Sequence, residues 1–231
     1  MQYPIIAFVS ATESKIRRVG TVLLIDVAGS SAVANFAAVR DRQIEKLSRN
    51  HLGKKWINAD YTVTAWDEFQ TLLFDWRHLP HVLLDIRRIL APQEAYIGVG
   101  TGQVSGWRSK KPINRALSGE AFERARRAMD ELKRAKGDKY RRLTHFSSSD
   151  ESRDALLNLI YGLNDTLVQQ ITERQWETIN AALEQGNQEE VAKKLAIQPS
   201  TVTRNLKRGH YWQIRETMDV VSTLLAAELP A

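Results

Sequence analysis

Three carboxylates occupy positions where metal-assisted chemistry is possible. The apolar run VLLID ends on Asp26 and is followed by the small-residue turn VAGSS. About 40 residues later, YTVTAWDEFQ places Asp67 and Glu68 at the turn leaving a second strand-like segment. Carboxylates at the ends of adjacent strands can hold Mg²⁺, which takes one or two protein carboxylates and completes its shell with water and phosphate oxygens. Asp26, Asp67 and Glu68 are therefore the candidate metal ligands, although acids at strand ends are also common where no metal binds. In AYIGVGTGQV, Gly98, Gly100 and Gly102 share one face of a strand by its two-residue period, leaving backbone bare. A packed helix accounts for this as well as a ligand does, and the spacing is not the G-x-G-x-x-G fingerprint. Arg124, Arg126, Arg127 and Arg134 lie mainly opposite the apolar face of their helix, where they can meet phosphates of nucleotide or DNA.

A second constellation lies near the other end, in NQEEVAKKLAIQPSTVTRNLKRG, which has the organisation of a helix-turn-helix. A first helix over Gln188–Leu195 buries Val191, Ala192 and Leu195, and Ala196, Ile197 and Gln198 form the turn. A second helix starts with Pro199 at its first position and buries Val202 and Leu206. Ser200, Thr201, Thr203, Arg204, Asn205, Lys207 and Arg208 remain as candidate DNA contacts. Short polar side chains and an arginine near the start of a helix can reach base edges, while bases at its end hold phosphates. Ala196 stands where glycine usually occupies the turn, and a plain helical hairpin used for dimer contacts is the competing reading.

The elements that must position these groups follow from periodicity. Val19–Asp26 reads as a buried strand, 31–50 as helix, Ile57–Trp66 as a strand or hairpin, and Glu68–Leu90 as helix broken or kinked at Pro80. AYIGVGTGQV is a strand, 119–136 a helix with Phe122, Ala125, Met129 and Leu132 on one face, and YRRLTHF closes the sheet. The polar stretch SSSDESRD sets a boundary between residues 1–147, of mixed α/β character, and 148–231, which are helical. In the second part Leu156, Leu157, Ile160, Leu163, Leu167 and Val168 form an apolar stripe. Thr172 with Gln175 and Asn187 with Glu190 make capping-box patterns.

Of the 231 residues, 43% are hydrophobic and 26% charged, which excludes a disordered or collagenous chain. No uncharged run exceeds 13 residues, so no membrane partner is expected. With no cysteine there are no disulfides or zinc–thiolate sites, and a cytosolic protein is the expectation. The net charge of +6 is uneven: residues 1–150 carry +9 and 151–231 carry −3, with 13 basic against 5 acidic residues between Arg108 and Arg142. Such a run suits a polyanionic partner or simply a solvated helix face.

At the acidic motifs the chain resembles known families. VLLIDVAGSSAVA is similar to the first metal-binding strand of class III nucleotidyl cyclases, and WDEFQ resembles the GDEFQ segment of the SatD family and the GGDEF hairpin of diguanylate cyclases. YIGVGTGQVSG followed by LSGEAFERARRAMDELK looks like the SatD pattern of a glycine-spaced strand and then a helix. The resemblance implies an α+β chain: a ferredoxin-like, palm-type domain followed by a helix-turn-helix domain. By it, Asp26 and Asp67 match the paired metal-binding acids and Glu68 the second acid of the hairpin. Ala65 and Trp66 depart from the family's glycines, so Trp66 fills the space beside a nucleotide or offers a face for stacking. With Trp66, Gly98, Gly100, Arg124 and Arg127 are the candidate nucleotide contacts, and Mg²⁺ with a nucleotide the expected cofactors. The leading expectation is a sequence-specific regulator that binds double-stranded DNA as a homodimer, with a nucleotide- and Mg²⁺-sensing first domain. A metal-dependent cyclase or nucleotide-processing enzyme is the alternative, and Trp66 weighs against it.

Overall fold

The computed structural model describes residues 18–106, 117–135 and 141–227; the opening MQYPIIAFVSATESK and the basic residues between Arg108 and Arg115 lie outside these. The fold is α+β. Five strands, β1 (Arg18–Val27), β2 (Ala59–Val63), β3 (Glu68–Leu73), β4 (Ala95–Val104) and β5 (Thr144–Ser147), form one sheet in the order β2-β3-β1-β4-β5. All pairings are antiparallel except β4 with β5. The helices are α1 (Phe36–Gly53), α2 (Leu79–Leu90), α3 (Glu120–Arg134), α4 (Glu151–Val168), α5 (Glu173–Gln185), α6 (Gln188–Leu195), α7 (Pro199–Arg208) and α8 (Tyr211–Ala226). Among the described residues no helix is long and apolar enough to cross a membrane.

Helices cover both faces of the sheet, which is why β1 is apolar without alternation. Leu23, Ile25 and Val27 of β1 pack with Phe36, Ile44 and Leu47 of α1 and Val82, Leu83 and Ile86 of α2. Val22 and Leu24 turn the other way, onto Ala121, Ala125, Met129 and Leu132 of α3.

The same two-sided burial corrects the expected helix over Glu68–Leu90. Its first part is strand β3, paired with β1 and β2 and buried at every residue, so that no alternation marks it. Helix α2 begins only at Leu79, and Pro80 sits in its first turn. Proline there removes an N–H that has no helical partner, so it starts the helix instead of kinking it.

The polar stretch at 147–154 does separate β5 from α4, yet packing runs across it. Leu157 and Tyr161 of α4 and Val221 and Leu225 of α8 join the core beneath the sheet, while Ile214 and Met218 of α8 join the core of α5–α7. The expected stripe of α4 is divided accordingly: Leu157 and Val168 are buried, Ile160 and Leu167 half-buried, and Leu156 and Leu163 exposed, as is Leu159 between them.

One ion pair fastens α4 to the sheet. Buried Asp165 accepts the backbone N–H groups of Leu143 (2.8 Å) and Thr144 (2.7 Å), and Arg87 of α2 lies 3.3 Å away while donating to Thr144 Oγ1 (2.8 Å) and the Ala95 carbonyl. Burial pushes the Asp165 carboxyl up, against the pull of Arg87 and three hydrogen bonds. Removing one partner of such a pair leaves the other charge buried and uncompensated. Asp165→Ala is therefore expected to lower stability by about 3 to 5 kcal/mol, measured by urea denaturation. A loss below about 1 kcal/mol would mean that water replaces the carboxylate.

Candidate functional site

The end of the sheet where β1 and β3 meet carries all three candidate carboxylates. The strands are adjacent and antiparallel as the motifs require, with Asp26 directly opposite Glu68 in register and Val27 N–H donating to the Asp67 carbonyl (3.0 Å). Cross-strand partners share a face, whereas the next residue points the other way. Asp26 and Glu68 accordingly both face α3, and Asp67 is bonded elsewhere, accepting from the Ser30 hydroxyl in the β1–α1 loop (3.0 Å).

The two facing carboxylates are engaged by protein cations. Lys133 Nζ lies 2.6 Å from Asp26, and Arg126 grips Glu68 with both terminal nitrogens, at 2.6 and 2.9 Å. Thr64 adds a hydroxyl to Glu68 at 2.7 Å. Burial pushes the Glu68 carboxyl up, but hydrogen bonds from Arg126 and Thr64 outweigh it and hold the group below the ordinary glutamate value. The bond to Asp26 raises the Lys133 ammonium against the opposing effect of its partial burial.

As they stand, these residues do not fit a Mg²⁺ ion. The metal would have to displace an ammonium from one carboxylate and a bidentate guanidinium from the other. Among the described residues no three His, Cys, Asp or Glu side chains are grouped to hold a metal.

The expected nucleotide contacts do not converge either. A Cβ on Gly98 would lie 2.5 Å from the Ala125 carbonyl and 2.8 Å from Met129 N, and one on Gly100 would sit inside the backbone of Ala121 and Ala125. These glycines therefore serve the close approach of α3, and their backbone is covered instead of open to a ligand. Trp66 is on the opposite side of the sheet. The residue is 59% exposed, its ring centroid lies 6.0 Å from that of Phe36 of α1, and its carbonyl accepts from Arg40. Arg124 caps the Thr101 carbonyl at 2.7 Å and pairs with Glu120, which leaves Arg127 exposed on the outer face of α3. Sequence reasoning assigned Arg126 to phosphates and did not single out Lys133. Their spacing of seven residues, two turns on one stripe, was the available signal.

Helix α6 has the expected bounds and α7 the expected start at Pro199, although Leu195 is half-buried and not fully buried. Asn187 caps α6 by accepting from Glu190 N–H (2.9 Å), the turn opens with Ala196 at φ 51°, and Pro199 starts α7. Alanine pays a steric penalty at a left-handed position that glycine avoids. Val191, Ala192, Val202 and Leu206 are buried, and α5 closes the unit with a complete Thr172–Gln175 capping box. Ser200, Thr203, Arg204, Lys207 and Arg208 are exposed, and Thr201 is half-buried. Asn205 is turned inward, donating to Thr178 Oγ1 of α5 at 3.0 Å, and is a packing contact. Thr203 donates to Gln188 of α6 at 2.7 Å.

The glycine face makes a direct prediction. Gly100→Ala drives a methyl into the α3 backbone, and overpacking of this kind costs about 1 to 3 kcal/mol. Urea denaturation checks it; unchanged stability would show that α3 does not depend on the bare strand.

Comparison with curated proteins finds no sequence match. Residues 21–222, most of the chain, match the model of the SatD family. The chain belongs to the SatD family.

Proposed function

We propose that this protein is a sequence-specific DNA-binding regulator whose helix-turn-helix, α6 and α7, reads duplex DNA. The observation that carries the reading is the surface of α7. Beyond Pro199, its exposed residues are Ser200, Thr203, Arg204, Lys207 and Arg208, its sequence PSTVTRNLKR contains no acid, and its buried Val202 and Leu206 belong to the core shared with α5, α6 and α8. Ser200 and Arg204, one turn apart near the helix start, suit base edges, and Lys207 and Arg208 suit phosphates. The surrounding segment is net acidic, so attraction to DNA in general is weak and the positive helix must act locally.

The first part of the chain supports a palm-type, ferredoxin-like reading. Its elements run β1-α1-β2-β3-α2-β4 with strand order β4-β1-β3-β2, and β5 adds a parallel edge. We assign it a sensory role, because its carboxylates are held by Arg126 and Lys133. Recognition helices usually work in pairs on two half-sites. A homodimer is part of the proposal, and the exposed row Leu156, Leu159 and Leu163 on α4 is an apolar surface suited to it.

A nucleotide-processing enzyme is the second reading. It is favoured by the register that sets Asp26 opposite Glu68 at the end of the central strands, and it requires α3 to release both.

Selection from a random duplex library, followed by salt-titrated binding, tests the first reading. Arg204→Ala is expected to weaken the selected site by about 1 to 3 kcal/mol and to relax preference at one base pair. Lys207→Ala should weaken all sequences alike and flatten the salt dependence. Failure of the wild type to enrich any sequence, with both variants behaving alike, would contradict a sequence reader.

A further inference from the structure

Away from the carboxylates and from α7, an opening of about 600 Å³ lies between α1, α2, α5 and α8. A second opening of about 370 Å³ shares Lys46, Arg88, Ile89 and Glu184 with it and continues along α1. Small-molecule sites commonly occupy about 300 to 1,000 Å³, are largely apolar and carry a few convergent polar groups.

The charge of these walls is lopsided. Arg42, Lys46 and Arg49 recur four and three residues apart, so they form one stripe of α1, and Lys54 and Arg88 join them. The two carboxylates in the walls are already engaged. Asp85 accepts from Asn50 (3.0 Å) and Arg88 (2.6 Å) and is bonded to His51 (3.0 Å), while Glu184 is held by Lys194 at 2.5 Å. Burial pushes Asp85 up, but these partners hold it down at about 2, so it remains an anion committed to its own network. Arg88 is bound to Asp85, and Arg49 pairs with Glu45 at 2.5 Å on the exposed side of α1, which leaves Arg42, Lys46 and Lys54 as the cations of the opening without an ion pair among the described residues.

The remaining wall is mixed, with Asn50 and His81 beside apolar side chains. It includes Trp56, Leu183 and Met218. Trp56 is fixed in place, stacked at 19° on His78 with Lys54 Nζ 4.1 Å from its ring centroid. An open cleft of this size admits a small molecule, and none of the exposed residues of α7 lines it.

We propose that this cleft binds an organic phosphate of nucleotide size, its phosphate held by Lys46 and Lys54 and its apolar part set against Trp56, Leu183 and Met218. Because α1 and α2 pack on the sheet while α5 belongs to the helical unit and α8 to both, a ligand here bridges the two halves of the chain. The site is independent of DNA binding and stands whether or not α7 reads sequence.

Isothermal calorimetry on the full chain with AMP, ATP and inorganic pyrophosphate tests it. Lys46 and Lys54 are exposed, so the double variant Lys46→Glu/Lys54→Glu should fold, which circular dichroism verifies. The expected result is that AMP or ATP binds more tightly than pyrophosphate. The double variant should weaken that binding at least about tenfold, and Leu183→Trp, which fills the apolar wall, should weaken it too. Arg204→Ala should bind as the wild type does, which separates this site from the DNA reading. The proposal is overturned if no nucleotide binds the wild type at about 1 mM, if the double variant binds unchanged, or if pyrophosphate binds as well as the nucleotides.

Discussion

Helix α3 approaches β4 so closely that side chains on the facing strand positions would collide with its backbone, and Gly98, Gly100 and Gly102 remove them. On the helix side Ala121, Ala125 and Ala128 are correspondingly small and fully buried. This contact closes the second face of the sheet and so makes β1 and β3 two-sided strands. It also sets the height at which Arg126 and Lys133 meet Glu68 and Asp26. A helix held a few ångströms farther out would leave both carboxylates without cations. The candidate metal site thus depends on strand glycines two, four and six residues along β4 from Tyr96, the cross-strand partner of Asp26.

A second constraint joins the halves of the chain. Asp165 of α4 ties the backbone at the start of β5 to Arg87 of α2, and α8 contributes apolar residues to both principal cores. The helical unit is consequently seated on the helices below the sheet, and the cationic cleft between α1, α2, α5 and α8 is a product of that seating. Helix α5 carries both the Thr178 contact to Asn205 of α7 and the cleft residue Leu183, so the two surfaces belong to one bundle.

Legibility in the sequence followed how local each determinant is. The α6–turn–α7 unit was readable because caps, the proline at the helix start and the buried stripe are all short-range signals. Asn205 could have been placed inward by the same logic, being three residues from Val202 and one from Leu206 on the edge of the buried face. β1 and β4 were visible as long apolar or glycine-spaced runs. β3 was not, because burial on both faces erases the alternation that distinguishes strand from helix. The pairing of Asp26 with Lys133 and of Glu68 with Arg126 joins residues far apart in the chain, and no local spacing encodes such a contact.

The claim on which the rest turns is that α3, seated on bare strand, holds the two carboxylates with its own cations. Mg²⁺ titration by calorimetry of the wild type beside Arg126→Ala/Lys133→Ala tests it most directly. The account predicts no Mg²⁺ binding that depends on Glu68 in the wild type, and a new binding event, abolished by adding Glu68→Gln, once the two cations are gone. Mg²⁺ binding by the wild type that Glu68→Gln removes would contradict it.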